Sequence, residues 1–277
     1  MPKRFSSVVG RSFGDGVRDA IQSTGMTQRR IAELLDWEEA KVSDLVKGKG
    51  GVTEVEVATL LGLCQTEAGE LRRLLALFKE TREKGFLQFG DEDGVPDQLR
   101  TLISQERLAT KIFVWAMNLV PGLLQIPQYS FEVVRAVPTI KPEQVGEVVA
   151  AREARRAIFH PSREFTFYVH EQALRLQVGS AQLMAAQLQD LLLMSIRPCV
   201  RVRVVPHSIG VHAGLAGSFT KLGFEKFEPV VFVETHNLSL FLEDKGSITV
   251  YDEVLKALAA QALDEEQSRE VITRLLT

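Results

Sequence analysis

The sequence predicts an α+β protein, in which an N-terminal all-α domain precedes a mixed α/β domain with a sheet flanked by helices. Up to about residue 80, apolar residues recur at the three- and four-residue spacing of short amphipathic helices. After Lys111, apolar or alternating segments separated by turn residues are typical of strands. The length of 277 residues suffices for two domains. We therefore expect one domain at residues 1–80, a linker with a connecting helix at 81–109, and a second domain at 110–277.

Five helices are expected in the first domain. Val17 and Ile21 share a face of the first helix, which ends at Gly25. The hydroxyl of Thr27 can cap the helix QRRIAELL, and that of Thr53 can cap VEVATLLGL. EEAKVSDLVK lies between these two helices, and EAGELRRLLALFKETRE forms the last helix, a longer amphipathic one. No strand is expected within residues 14–60.

The second domain begins after GFLQFGDEDGVPDQ (residues 85–98), which is rich in glycine and acidic residues, and after a helix near QLRTLISQERLA. KIFVWAMNLV and EFTFYVHE are predicted strands, and Ser180 can cap the helix SAQLMAAQLQDLLLMSI. Four more strands are predicted at VRVRVVP, GSFTKLGF, PVVFVET and LSLFLED. Further helices are expected at residues 128–136, 142–159, 248–261 and 264–276.

The composition excludes several classes of protein. The net charge of -3 and the pI near 6.0 provide no global basic field, so any contact with nucleic acid must come from a local patch. Cys64 and Cys199 are far apart and are expected to be thiols in a reducing compartment. No apolar run approaches the ~18 residues of a membrane span, and the N-terminal segment has no apolar core of a secretory signal. We therefore expect a cytoplasmic protein.

The stretch TQRRIAELLDWEEAKVSDLVKG, residues 27–48, has the spacing of a helix-turn-helix. Ala32 is the small residue where the two helices meet, and Asp36 occupies the turn, where a positive φ is frequent. The residues expected to face the shared core are Ile31, Leu35, Val42 and Leu45.

These residues resemble the Cro/repressor-type helix-turn-helix family over about residues 14–62. The resemblance implies that the recognition helix begins near Glu38. It implies that the residues facing the major groove are Glu38, Glu39, Ala40, Ser43, Asp44 and Lys47. The chain departs from the family pattern at Asp36, Glu38 and Asp44, where actinomycete members often have Gly, Ser and Arg.

Two interpretations of this surface remain open. In the first, Glu38 and Glu39 sit at a helix N-terminus, which favours negative charge, and one of them accepts a hydrogen bond from cytosine. Double-stranded DNA is then held through its backbone by Gln28, Arg29, Arg30, Lys41, Lys47 and Lys49. In the second, the helix-turn-helix fold persists but its surface has little affinity for DNA, because residues 1–80 carry twelve basic and twelve acidic side chains.

Ordered motifs in the second domain resemble those of WhiJ-type regulators of actinomycetes. They are VPGLLQIPQYS, REARRAIF, HEQALRLQVGS, VVPHSIGVHAGLAGSFTKLGF, VFVET and EEQSREVI, within about residues 105–276. The corresponding domain is one of unknown function that is sometimes labelled antitoxin-like. The resemblance implies a transcriptional regulator, sometimes encoded beside a small partner protein.

Chemistry-bearing residues of the second domain predict no catalytic centre. Its histidines lack metal-ligand spacing, no serine lies in a GxSxG turn, and no phosphate-binding glycine motif occurs. We therefore expect no metal, no cofactor and no enzymatic activity. The glycine-rich run from Gly210 to Gly217 either lines a pocket or forms a bend.

Five polar residues are candidates for binding a ligand or a partner, namely Arg156, Glu171, Arg175, His212 and Glu234. Glu171 and Arg175 are four apart and can pair on a helix. Arg152, Arg155 and Arg156 are expected on one helical face, which is either engaged in salt bridges or a site for an anion or partner.

Two functions follow as hypotheses. The leading one is a homodimeric, sequence-specific DNA-binding transcriptional regulator whose C-terminal domain senses a ligand or partner protein. The homodimer is expected because one helix-turn-helix covers only a few base pairs. The alternative is an antitoxin-like interaction module that binds a small partner protein and has weak or vestigial DNA binding.

Overall fold

The computed structural model describes residues 7–49, 51–80, 86–89, 95–236 and 238–276. The chain divides into two compact units, and the division lies between Phe86 and Leu87. We call them the N-terminal unit and the C-terminal unit. Residues 81–85 and 90–94 of the predicted linker lie outside the described residues.

The described part of the N-terminal unit is helical, as predicted. Its helices are α1 (Val8–Ser23), α2 (Gln28–Leu35), α3 (Glu39–Val46), α4 (Glu54–Leu63) and α5 (Ala68–Glu80). The predicted caps are confirmed: the hydroxyls of Thr27 and Thr53 accept backbone N–H groups of Arg30 and Glu56. At Thr53 the Glu56 side chain also accepts the Thr53 N–H, which completes a capping box.

The core of the N-terminal unit forms where α1 packs against α3 and α5. Val17, Ile31, Val42 and Leu45 are fully buried there. Gly48 allows the close approach of α1 to the end of α3. It has a φ of 66°, and a Cβ at this position would lie 2.0 Å from the carbonyl oxygen of Gly10, so a larger residue would separate the two helices.

The C-terminal unit contains a mixed sheet. Its strands are β2 (Lys111–Ala116), β3 (Glu164–His170), β4 (Val200–Val205), β5 (Phe219–Gly223), β6 (Val230–Glu234) and β7 (Leu238–Leu242). A short strand, β1 (Phe86–Phe89), lies beside β7, so the strand order is β1-β7-β6-β5-β2-β3-β4. β2, β3 and β4 are parallel, whereas β5, β6 and β7 add in antiparallel fashion. All six predicted strands are present.

The helices of the C-terminal unit include all those predicted and one further short helix, at Glu171–Arg175. They are α6 (Asp97–Leu108), α7 (Pro127–Arg135), α8 (Val145–Ala154), α9 (Glu171–Arg175), α10 (Ala181–Ser195), α11 (Lys245–Gln261) and α12 (Glu265–Arg274). α6, which was expected as a connecting helix, belongs to the C-terminal unit. The single helix expected at 142–159 is instead α8 flanked by 3-10 turns at Pro142–Gln144 and Arg155–Ile158.

Both faces of the sheet contribute to the core, which explains why β2 and β3 are buried along almost their whole length, whereas β4 alternates valine with Arg201 and Arg203. On one face, Trp115, Tyr168 and Phe219 pack against α11. Residues that alternate with them, such as Ile112, Phe165 and Val202, are also buried.

The outer edge of β4 is covered rather than open. The Val204 N–H donates to Ser268 Oγ of α12 at 2.9 Å, and the Val204 carbonyl accepts the Leu263 N–H at 2.9 Å. These bonds satisfy backbone groups of an edge strand that would otherwise be free to pair with another chain. Among the described helices, none combines the length and the apolar character required to cross a bilayer.

Candidate functional site

α2 and α3 meet at a three-residue turn, residues 36–38. Ala32 is 2 % exposed where the helices touch. Asp36 adopts φ 53° and ψ 45°, the left-handed conformation expected for the turn. Glu38 precedes the first residue of α3, and its side chain makes no capping hydrogen bond. The two eight-residue helices are therefore fixed by a small contact residue and a left-handed turn.

The residues predicted to contact DNA all lie at least partly on the surface of this helix pair. They are Gln28, Arg29, Arg30, Glu38, Glu39, Ala40, Lys41, Ser43, Asp44, Lys47 and Lys49. Val42, Leu45 and Val46 are buried between them. α3 therefore presents one polar outer face and anchors the other face in the core.

Arg29 and Arg30 are both paired with the carboxylate of Glu33 on the same helix. Arg30 Nη1 lies 3.1 Å and Arg29 Nε 3.3 Å from the Glu33 oxygens. The hydrogen bond from Arg30 and that from Arg29 lower the pKa of Glu33 below its usual value. The spacing i, i+3 and i, i+4 on one helix is the signal that predicts these pairs.

Lys41 links α3 to α4. Its Nζ lies 2.5 Å from Glu56 Oε1 and 4.3 Å from the centre of the Trp37 ring. The hydrogen bond from Lys41, followed by the one from the Thr53 backbone, lowers the pKa of Glu56 to about 2. Lys41 is therefore engaged within the protein, at a position where we expected a contact with the DNA backbone.

At the end of α3, the Asp44 carboxylate lies 3.2 Å from Lys49 Nζ. Lys47 Nζ donates to Ser43 Oγ at 2.7 Å. Within the described residues, neither Glu38 nor Glu39 makes an ion pair, and both are exposed. The surface therefore holds its cations mostly in internal pairs and leaves two carboxylates at the start of α3 unpaired.

Glu171, Arg175 and His212 lie where β3 and β4 end. Arg175 Nη2 lies 2.6 Å from Glu171 Oε1, so the predicted pair is present. The other carboxylate oxygen of Glu171 accepts the His207 backbone N–H at 2.9 Å. That bond and, after it, the hydrogen bond from Arg175 lower the pKa of Glu171.

His212 is one of two stacked, buried imidazoles. Its ring centre lies 5.3 Å from that of His170, and the edge of Trp115 contacts both rings. His212 Nδ1 accepts the Gly214 N–H, and His170 Nδ1 accepts the Gln172 N–H. Because a protonated Nδ1 cannot accept, these bonds require the neutral ring. Burial is the main cause of the lowered pKa of His170 and of His212.

Gly214 is required by this cluster. A Cβ at this position would lie 2.5 Å from the Trp115 indole, and the Trp115 Nε1–H donates to the Gly214 carbonyl at 2.8 Å. The glycine-rich run therefore folds over Trp115, beside the stacked imidazoles of His170 and His212, which we call the histidine cluster. Among the described residues, no group of three or more His, Cys, Asp or Glu side chains is arranged to hold a metal ion.

Arg156 and Glu234 have other neighbours. Arg156 Nη2 lies 2.9 Å from the Asp190 carboxylate of α10. Glu234 is exposed at the end of β6, and its charge acts on Arg152. Burial lowers the pKa of Arg152, and the attraction of Glu234 opposes that effect. The five candidate residues therefore do not form one site.

A family model for a domain of unknown function, DUF5753, matches residues 99–274. The chain belongs to the DUF5753 family. Comparison with curated proteins and with solved structures gives no match. The DUF5753 domain extends from α6 to the end of α12, so it contains the histidine cluster, and the match covers none of α1–α5.

Salt bridges were one of the two alternatives for the REARR arginines, and Arg155 and Arg156 form them, but the buried partner of Arg155 was not predicted. Arg155 donates to Glu106 through Nε at 2.8 Å and Nη2 at 2.7 Å, and the two side chains are only 8 % and 1 % exposed. The partners are 49 residues apart in the chain. No local spacing indicates such a pair. Arg155 and Arg156 pair with different carboxylates, those of Glu106 and Asp190. Arg152 and Arg156 both reach Gln125, and the charge of Glu234 acts on Arg152 and Arg155.

Proposed function

We propose that the chain is a sequence-specific DNA-binding transcriptional regulator in which α2 and α3 form a helix-turn-helix. The observation that carries the proposal is the α2–α3 pair itself. Its contact residue Ala32 is buried, its turn residue Asp36 is left-handed, and α3 exposes Glu39, Ala40 and Ser43. This is the arrangement in which a second helix can enter the major groove.

The dimensions of α3 agree with that role. Eight residues make a helix about 12 Å long, and the major groove is about 12 Å wide. Glu39, Ala40, Ser43 and Lys47 lie along the outer side of α3 and offer acceptors, a methyl group, a hydroxyl and one cation. Gln28 opens α2, where free backbone N–H groups and the side-chain amide can meet a phosphate.

The DUF5753 domain is proposed to sense a ligand or a partner protein. The histidine cluster supports this role because it lies where the parallel strands β3 and β4 end. Open α/β sheets commonly bind ligands at the carboxyl ends of their parallel strands. The exposed Val211 and Leu215 on the adjoining loop supply apolar surface beside these polar groups.

An antitoxin-like interaction module is the second candidate. Residues 27–49 carry five cations and five carboxylates, so their net attraction for DNA is small. Leu193 and Ile196 are 64 % and 69 % exposed, three residues apart at the end of α10. Adjacent exposed apolar side chains of this kind favour contact with another protein.

A binding selection distinguishes the two functions. The full-length chain is incubated with genomic DNA fragments at stated salt, and the enriched sequence is titrated beside a scrambled one. We expect enrichment of one sequence, and we expect Lys47→Glu to weaken its binding at least tenfold. Lys256→Glu, an equal charge change on α11, is the control and is expected to leave binding nearly unchanged.

Failure to enrich any sequence, or equal effects of Lys47→Glu and Lys256→Glu, would contradict the DNA-binding proposal. Co-purification of a stoichiometric small protein that is lost in Leu193→Asp, from a chain without DNA selectivity, would support the interaction module instead.

A further inference from the structure

A cavity of about 250 Å³ lies within the C-terminal unit, between the second half of α6 and the segment that follows α8. One wall is apolar and is formed by Ile103, Ala154, Ala157 and Ile158. The volume is that of about eight water molecules and is slightly below the ~300–1,000 Å³ of typical ligand pockets. The cavity therefore suits a compact ligand.

The cavity contains one carboxylate, that of Glu106, and this charge is already neutralised. Both of its oxygens are taken by the Arg155 guanidinium, at 2.7 and 2.8 Å. A bidentate pair of this kind satisfies the hydrogen-bond acceptors of the carboxylate and also neutralises its charge. The Glu106–Arg155 pair therefore forms a neutral floor and does not repel an anion.

Two further arginines lining the cavity have no carboxylate partner within the described residues. Arg163 donates through Nη1 to the Glu106 carbonyl at 3.0 Å and through Nη2 to the Arg107 carbonyl at 2.7 Å. These bonds fix its guanidinium at the end of α6 and leave other N–H groups available. Arg107 is exposed and makes no ion pair in the described part of the chain. The cavity therefore carries a net positive charge.

We propose that this cavity binds a small organic phosphate monoester, with the phosphate on Arg107 and Arg163 and a short hydrocarbon part against the apolar wall. A phosphate monoester carries a charge of about -1.5 to -2 at pH 7 and three acceptor oxygens. The two guanidinium groups match the charge of a phosphate monoester. A ligand with a single carboxylate would neutralise only one of them. Planar guanidinium groups also suit the geometry of phosphate oxygens.

The cavity shares no lining residue with the histidine cluster, so the inference adds a separate ligand site to the DUF5753 domain. It rests on the proposed function only in assigning this site to the sensing role. Binding is measured without DNA, so its failure is distinguishable from a failure of DNA binding. Phenyl phosphate is titrated into the full-length chain by calorimetry at low salt, beside inorganic phosphate and phenol. We expect one phenyl phosphate per chain, tighter binding than inorganic phosphate, and no binding of phenol.

Variants test whether the phosphate group binds to Arg107 and Arg163. Arg107→Gln is expected to weaken phenyl phosphate binding about tenfold or more, because it removes a charge-assisted hydrogen bond. Arg100→Gln is the matched control, since it removes the same charge from α6 about 10 Å away along the helix axis. We expect it to change affinity less than twofold. Arg163→Gln is expected to act like Arg107→Gln, with circular dichroism as a check on the cap of α6.

Three results would overturn the inference. The first is the absence of saturable phenyl phosphate binding to the wild-type chain. The second is unchanged affinity in a folded Arg107→Gln variant. The third is an equal loss in Arg100→Gln, which would indicate a general effect of charge rather than this cavity.

Discussion

At the scale of single residues, carboxylates on the α2–α3 surface would compete with phosphates for the same cations in the proposed complex with DNA. Glu33 holds Arg29 and Arg30, and Asp44 holds Lys49. Exposed pairs of this kind are worth only about 0–1 kcal/mol each, so a phosphate backbone can displace them. Each displacement nevertheless reduces the gain from the new contact. If α3 enters the major groove, these carboxylates lower the affinity for all DNA sequences and leave the sequence selectivity unchanged.

Asp44→Arg tests this effect directly. The substitution removes the partner of Lys49 and adds a cation, so up to two new phosphate contacts arise. We expect tighter binding to all DNA sequences, and a salt dependence that is steeper by about 0.9 for each new contact. Titrations at two salt concentrations, on operator and scrambled DNA, measure both quantities. Glu270→Arg on α12 is the control, and unchanged non-specific affinity in Asp44→Arg would show that residue 44 does not face DNA.

The stacked imidazoles of His170 and His212 predict a pH-dependent stability of the C-terminal unit. Burial lowers both pKa values from 6.5, so the unfolded chain binds protons more readily than the folded one. The stabilising effect of the neutral rings is complete above pH 6.5 and is lost as the pH falls from 6.5 through the lowered folded pKa. His207 and Glu171 are the other titratable groups that act on His170.

Urea unfolding between pH 7.5 and pH 5 measures this effect. Trp37→Phe leaves Trp115 as the sole tryptophan, so fluorescence reports on the C-terminal unit alone. In that background, the double variant His170→Asn, His212→Asn keeps side chains that can cap helices but do not titrate. We expect its midpoint to fall less with decreasing pH than that of the parent. Equal slopes would exclude the two histidines as the cause.

At the scale of elements, sequence patterns predicted the helix caps and turns, which depend on interactions between residues close together in the chain. Thr27 and Thr53 cap their helices, and Asp36 turns the chain with a positive φ, because each effect depends on residues within four positions. The end of α8 at Ala154 was not predicted. Arg155 leaves the helix to meet Glu106, 49 residues earlier, and no periodicity within REARRAIF contains that information. On the α2–α3 surface the exposed positions agree with the prediction but the ion pairs were not predicted, whereas the local Glu171–Arg175 pair was predicted from its spacing.

Two described residues of the N-terminal unit adopt a left-handed φ without being glycine, and they predict which glycine substitutions stabilise it. Asp36 and Gln65 have φ values of 53° and 54°, where a Cβ costs about 1–2 kcal/mol. We expect Gln65→Gly to stabilise by about 0.5–1 kcal/mol, after the entropy cost of glycine in the unfolded chain. Asp36→Ala is expected to destabilise by about 1 kcal/mol. Gln22→Gly within α1 is the control and should destabilise by about 1 kcal/mol; destabilisation by Gln65→Gly would refute the argument.

The Glu106–Arg155 pair joins α6 to the segment after α8, and its removal should be costly. Glu106→Gln leaves a buried guanidinium without its counter-charge, for which about 3–5 kcal/mol of destabilisation is expected. The Lys111–Glu164 pair is more than half exposed, so Glu164→Gln should cost less than about 1 kcal/mol. Chemical denaturation of both variants measures the difference. A loss below 1 kcal/mol in Glu106→Gln would mean that the buried pair is not needed to hold α6.

At the scale of the whole molecule, the size of α3 limits what one copy can recognise. Eight residues contact only a few base pairs, and the balanced charge of residues 27–49 adds little non-specific affinity. Specific recognition then requires two copies on half-sites about 34 Å apart, on the same side of the duplex. The dimer is therefore part of the proposed function and not an independent property.

A dimer predicts both a mass and a spacing rule. Sedimentation equilibrium at micromolar concentration is expected to give twice the 30.9 kDa chain mass in free solution, or two chains for each operator in the complex with DNA. Inserting five base pairs between the half-sites turns one of them to the opposite side of the duplex, because a helical turn is about 10–10.5 base pairs. We expect this insertion to weaken binding at least tenfold, because the second α3 no longer meets its half-site on the same side of the duplex. A single 30.9 kDa chain that binds its operator with no dependence on spacing would require recognition by one α3 alone. That result would leave the DNA-binding proposal standing and remove the dimer from it.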